Sequence, residues 1–133
     1  MLQESHKVAI YLEGHFSTDY GKMGIGVLRY LSNTIVAVID SENNGKNTNE
    51  FNSIKRSVPI VDNLDAAILN GAEVLILGIA PSGGKIPEAW FNVIESAISK
   101  NLSIINGLHD TLLSKYKNSL QNDQWIWDVR VPQ

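Results

Sequence analysis

Five short apolar runs constrain what this chain can fold into: VAIYL (8–12), IVAVI (35–39), VLIL (74–77), LSII (102–105) and WIWDV (125–129). Most show no polar face, and IVAVI is rich in β-branched residues, so they read as strands covered on both sides. Between them lie segments of helical period. In 87–100, Trp90, Phe91, Ile94, Ala97 and Ile98 form one face, with Glu88, Asn92, Glu95 and Ser99 opposite. Pro87 suits a first helical position, and Glu88 and Lys100 match the two ends of the helix dipole. Residues 63–70 read as a shorter helix, with Asn63 as N-cap and Gly71 as left-handed terminator. Segments 26–31 and 110–120 are weaker helical patterns, and Asp110 is placed to cap the second. VPIV (58–61) is a further short strand, confined by Pro59 to an edge or a strand start. In the polar stretch 41–57, Asn47 and Glu50 have capping-box spacing.

Strands alternating with helices predict an α/β fold: a three-layer sandwich on a mainly parallel, doubly wound sheet. With right-handed crossovers, the dinucleotide-binding strand order is the simplest topology. Ile10, Val36, Val38, Leu75, Ile76 and Ile104 are its expected core. The chain has 133 residues, of which 44% are apolar, enough for one domain (1–133) with a core that needs no staples. It has no cysteine, which excludes disulfides, thiol catalysis and thiolate metal sites. A net charge of −3 with no block of like charges argues against nucleic acid or a membrane surface as partner. The apolar runs are far shorter than the ~20 residues of a spanning helix, and the N-terminus has no signal-peptide pattern. The expectation is a soluble, cytoplasmic chain.

In open parallel sheets, ligands sit beyond the strands' C-terminal ends, where strand order reverses. Three loops should meet there: EGHFSTDYGKMGIG (13–26), GIAPSGGK (78–85) and NGLHD (106–110). The first has no dinucleotide fingerprint, since Arg29 stands at its third glycine. It has no P-loop either, since Phe16 and Met23 break the pattern. A helix start near Gly24–Gly26 would attract an anion, with Lys22 and Arg29 as cations, although a plain surface loop is an equal reading. Asp40 ends the second strand, where an acid can hold ribose hydroxyls or simply start a turn. APSGGK offers amides near Gly83 and Gly84, a helix start and the charge of Lys85; a tight corner needs the same glycines. This loop is expected at the mouth of the main cleft. His109, beside Asp110, is the one candidate acid–base residue. His6 and His15 are too scattered to make a metal site with it.

Taken together, YLEGHF (11–16), GKMGIGVLRY (21–30), VAVIDS (36–41), GKNTNE (45–50), PIV (59–61), LGIAPSGGKIPEAW (77–90), NGLHD (106–110) and IWDVRVP (126–132) carry a resemblance. The chain resembles the N-terminal Rossmann-like domain of a bacterial and archaeal family labelled as a domain of unknown function. Some members of that family are described as D-glutamate N-acetyltransferases (the DgcN family). The resemblance implies a ligand face at Gly78, Ala80, Pro81, Ser82, Gly83, Gly84, Asn106, Gly107, His109 and Asp110, joined by Lys22, Arg29 and Asp40. It also implies a C-terminal P-loop domain, whose motif this sequence lacks. The expected role is a binding module for a nucleotide, coenzyme A or a small acid within a two-domain protein, inactive alone and partnered by a P-loop domain in cis or trans. An NAD(P)-dependent oxidoreductase-like domain and a structural domain of a homo-oligomer are the alternatives, and no cofactor is specified.

Overall fold

The computed structural model describes residues 1–51 and 53–131. Among these, six strands form one sheet: β1 (Val8–Tyr11), β2 (Ile35–Ile39), β3 (Ile60–Val61), β4 (Val74–Leu77), β5 (Ser103–Asn106) and β6 (Ile126–Asp128). The helices are α1 (Lys22–Tyr30), α2 (Leu64–Leu69), α3 (Trp90–Ser99) and α4 (Leu113–Tyr116). The strand order is β3-β2-β1-β4-β5-β6 and every pairing is parallel. The order reverses between β1 and β4. Right-handed crossovers therefore set α1 on one face and α2, α3 and α4 on the other.

The apolar runs do what their lack of a polar face requires. Every residue of β1 and β4 is buried. Ile10, Val38, Leu75, Ile76 and Ile104 are core residues, while Val36 is half-buried against them. Pro59 stays outside β3, which pairs with β2 at the sheet edge through Ile60 and Val61. Asn63 caps α2 by accepting the Ala66 N–H at 2.9 Å, and Gly71 ends that segment at φ +102°. Glu50 accepts the Asn47 N–H at 2.6 Å, which closes a single 3-10 turn.

Three helix boundaries differ from the sequence reading. Helix α1 starts at Lys22, four residues before Gly26, so Gly24 and Gly26 lie inside it. Helix α3 starts at Trp90 with Ala89 as N-cap, so Pro87 sits in the preceding turn and accepts the Trp90 N–H at 3.0 Å. Residues 110–120 give only α4 and a 3-10 turn over Lys117–Ser119. Asp110 does not cap α4. Asp128, at the end of β6, takes the Leu112 and Leu113 N–H groups at 2.9 and 3.0 Å. The C-terminal end of α1 is closed from a distance too. The Arg56 guanidinium donates to the carbonyls of Leu28, Leu31 and Asn33, meeting the negative end of the helix with a positive charge.

Tyr11, at the end of β1, packs edge-on to Trp90 with ring centroids 5.9 Å apart. Burial, with a smaller contribution from the Glu13 carboxylate, pushes its phenol up to about 12. Tyr116 is raised as well, by burial and then by its hydrogen bond to Glu95. An unfolded chain ionises tyrosine near 10, before the folded chain does. Stability is therefore unaffected by these groups below pH 10 and falls as pH rises from 10 through 12. Tyr11→Phe is expected to reduce that alkaline slope, read as urea midpoints across the same range. An unchanged slope would mean that Tyr11 ionises alike in both states.

Candidate functional site

The reversal point is built from backbone. Gly78 continues β4, donating its N–H to the Tyr11 carbonyl at 3.0 Å, and accepts the Gly24 N–H at 2.9 Å. A Cβ on Gly24 would lie 3.0 Å from the Gly78 oxygen, and one on Gly78 would lie 2.9 Å from the Gly24 Cα. Glycine at both positions thus lets α1 touch the end of β4. The loop between β1 and α1 is wound above them. Leu12, His15 and Thr18 accept in turn from His15, Thr18 and Gly21, and the Tyr20 carbonyl takes the Ala80 N–H at 2.8 Å.

The β4 and β5 loops are joined side by side. His109 donates its backbone N–H to the Gly84 carbonyl at 2.9 Å, and the Asp110 carboxylate accepts the Ile86 N–H at 2.9 Å. The His109 ring lies over the Gly84 Cα, where an added Cβ would come within 1.9 Å of Cδ2. Gly107 backs onto Met23 of α1, 3.1 Å from its sulfur by the same measure, and its carbonyl accepts from Arg130 Nε at 2.6 Å. Beneath them Asn106 is fully buried. Its amide donates to the Asp110 carbonyl at 2.7 Å and to Asp128 Oδ1 at 2.8 Å, and its own Oδ1 accepts the Leu108 N–H at 3.0 Å.

The structure thus gathers Gly78, Ala80, Pro81, Ser82, Gly83, Gly84, Lys85, Asn106, Gly107, His109 and Asp110 at the C-terminal ends of β4 and β5. Ser82, Gly83, Lys85 and His109 are exposed there, whereas Gly78 and Asn106 are buried supports. The anion nest read from the sequence is reduced, because the Gly84 N–H is spent on the Pro81 carbonyl at 3.0 Å. The expected helix start is also absent from the loop, since α3 begins five residues after Lys85. Lys22, the first residue of α1, is exposed and paired with Asp19 at 3.5 Å.

Arg29 and Asp40 do not join this cluster. Arg29 lies two turns along α1 and donates to Ser53 Oγ at 3.0 Å. Asp40 is 1% exposed and its carboxylate is already committed: it accepts from Gly14 N, Glu42 N and the Asn43 amide at 3.1, 3.2 and 2.7 Å. These bonds tie the β1 loop to the β2 loop, as does Glu13 accepting from Ser41. Nor do Gly83 and Gly84 flank the roomiest concavity described. That one, of about 630 Å³, is lined by Arg29, Tyr30, Ser53, Lys55 and Arg56. Sequence reasoning missed Asp128 as the hub under the β5 loop. The available signal was an acid closing an apolar strand, the same pattern as Asp40.

A parallel sheet ordered 3-2-1-4-5-6, with glycine loops over its reversal point, defines a Rossmann-like domain. The chain belongs to the DUF1611_N family, a Rossmann-like domain of unknown function, whose profile matches residues 41–132. A solved DUF1611 family protein from Anabaena variabilis ATCC 29413 superposes with a TM-score of 0.91 at 39% identity, over 97% of this chain and 38% of its own. Two curated relatives are each described as D-glutamate N-acetyltransferase. The one from Pseudoalteromonas sp is 43% identical over 65 residues, which is 47% of this chain and 20% of the relative. The one from Tritonibacter scottomollicae is 32% identical over 72 residues, or 52% and 22%. The matches span about a fifth of the length of these curated relatives. Among the described residues, no helix is long and apolar enough to cross a membrane.

Proposed function

We propose that this chain is the Rossmann-like binding module of a larger protein of the D-glutamate N-acetyltransferase type. Its ligand is a small acid held at the β4 and β5 loops. The observation that carries this reading is the joined pair of loops with Ser82, Lys85 and His109 exposed on it, in a chain 43% identical over 65 residues to such an enzyme. The Lys85 ammonium suits a carboxylate, the Ser82 hydroxyl and His109 imidazole add hydrogen bonds, and Gly83 leaves open space above the turn. His109 is the one acid–base group in this set. The sequence holds neither a P-loop nor a nucleophile elbow, so turnover requires the remainder of the longer protein, in cis or in trans. A dinucleotide at the reversal point is less well supported, because the Gly24 amide and the Asp40 carboxylate are spent on the chain's own groups.

Calorimetric titration with D-glutamate and N-acetyl-D-glutamate tests the reading, with NAD and coenzyme A as the competing ligands. Binding of an acidic amino acid without acetyl transfer by the chain alone is the expected result. Lys85→Ala should weaken it by roughly 1–3 kcal/mol, the worth of a charge-assisted contact. Unchanged affinity in that variant removes Lys85 from the site. Binding of NAD or coenzyme A in place of either acid overturns the assignment of ligand, and binding of none leaves the structural role as the answer.

A further inference from the structure

The loops after β4 and β5 leave the roomiest of the described concavities unused. It lies at the other end of α1, with Arg29, Lys55 and Arg56 around it and Tyr30 and Ser53 completing the wall, and its volume is about 630 Å³. That is the size of pocket that holds a nucleotide-sized molecule. Three cations share the wall. Among the described residues, no carboxylate comes within ion-pairing distance of any of them. Like charges gathered on one wall repel, and an anion relieves that repulsion. The C-terminal end of a helix would ordinarily oppose an anion, because its free carbonyls carry negative charge. Here the Arg56 guanidinium covers the carbonyls of Leu28, Leu31 and Asn33, so the wall presents positive charge instead. The Arg29 fork is held in place by Ser53 Oγ at 3.0 Å, and Lys55 has no hydrogen bond to any described residue. Tyr30 is 84% exposed on the rim, a large flat ring open to stacking.

We propose that this wall is a second site, separate from the β4–β5 loops, for a nucleoside phosphate. The phosphates are taken by Arg29 and Lys55 over the Arg56 charge, and the base stacks on Tyr30. The proposal does not rest on the reading of the β4–β5 loops, and Lys85→Ala leaves it untouched.

Titration of the chain with ADP, inorganic pyrophosphate and adenosine tests it. ADP and pyrophosphate are expected to bind, more weakly as salt is raised, and adenosine is not, because the charge supplies the attraction. Lys55→Gln breaks no hydrogen bond among the described residues and should weaken ADP at least about tenfold, the loss of one charge-assisted contact. Lys117→Gln, an exposed lysine far along the chain, should leave ADP binding unchanged. Tyr30→Ala should weaken ADP and spare pyrophosphate. Failure of both ADP and pyrophosphate to bind overturns the site. So does an affinity that Lys55→Gln leaves unchanged, or one that Lys55→Gln and Lys117→Gln lower equally. Such results leave the β4–β5 reading standing, just as a loss confined to Lys85→Ala leaves this one.

Discussion

Asp128→Ala should cost the fold on the order of 3 kcal/mol or more, because it strands several buried donors at once. The carboxylate accepts from the Asn106 amide and from the N–H groups of Leu112 and Leu113. Asn106 and Leu112 are both fully buried, so water cannot replace the missing oxygen without opening the site. Asp128→Asn keeps one acceptor oxygen and should fall between alanine and the native residue. The effect should also reach the candidate site. Asn106 holds the Asp110 carbonyl, and the Asp110 carboxylate holds the Ile86 N–H. Hydrogen exchange at Ile86 and Leu108 should therefore quicken in Asp128→Ala beyond what the global loss explains. A variant as stable as the parent, by urea unfolding, would show that Asp128 is not the support described.

Gly78→Ala should be about as costly, near 3 kcal/mol, at the upper end of what overpacking does. The new Cβ would lie 2.8 Å from Ile10 Cγ2, 2.9 Å from the Gly24 Cα and 3.1 Å from the Tyr11 oxygen. Two of these three are main-chain atoms, which cannot rotate away. Two other glycines calibrate the result. Gly83 opens onto empty space but holds φ +83°, so Gly83→Ala should cost only the backbone strain, about 1 kcal/mol. Gly26 lies inside α1 with nothing within 4 Å, so Gly26→Ala should stabilise by about 0.4–1 kcal/mol. Urea midpoints should rank the three as Gly26→Ala above the parent, then Gly83→Ala, then Gly78→Ala. A Gly78→Ala as stable as Gly83→Ala would mean that α1 can lift from the sheet at little cost.

The strands were legible because burial on both faces leaves a local mark. IVAVI and VLIL can be little else, and each became a strand with its bounds unchanged. The helix ends were less legible because their partners are remote. Asp110 is near enough in sequence to cap α4, but Asp128, at a register set by β6, takes the amides instead. The sequence places a helix start near Gly24–Gly26, yet both glycines lie inside α1, where Gly24 packs against Gly78 too closely for a side chain. Pro87 carries a helix-start signal that the tether from Asp110 to Ile86 overrides, leaving the proline in a turn. In the candidate site, the closeness of the β4 and β5 loops followed from the strand-end rule. The commitment of Asp40 and of the Gly84 amide did not, since both depend on partners that only the folded chain brings near. The cavity beside Arg29 left no motif at all, because its cations come from two separate segments.

The two distant helix caps also bear on the order in which the molecule can assemble. Arg56 closes α1 within the first half of the chain, and Asp128 closes α4 within the second. Each half is thereby sealed by a charged residue that follows the helix it finishes. The halves meet through the pairing of β1 with β4 and the contact of Gly24 with Gly78. A chain emerging N-terminus first can lock β1, β2, β3 and α1 together before β4 exists. The exposed flank of β1 then serves as a template awaiting the second half, and closing that seam makes the sheet pairing of widest sequence separation, Val8 with Val74.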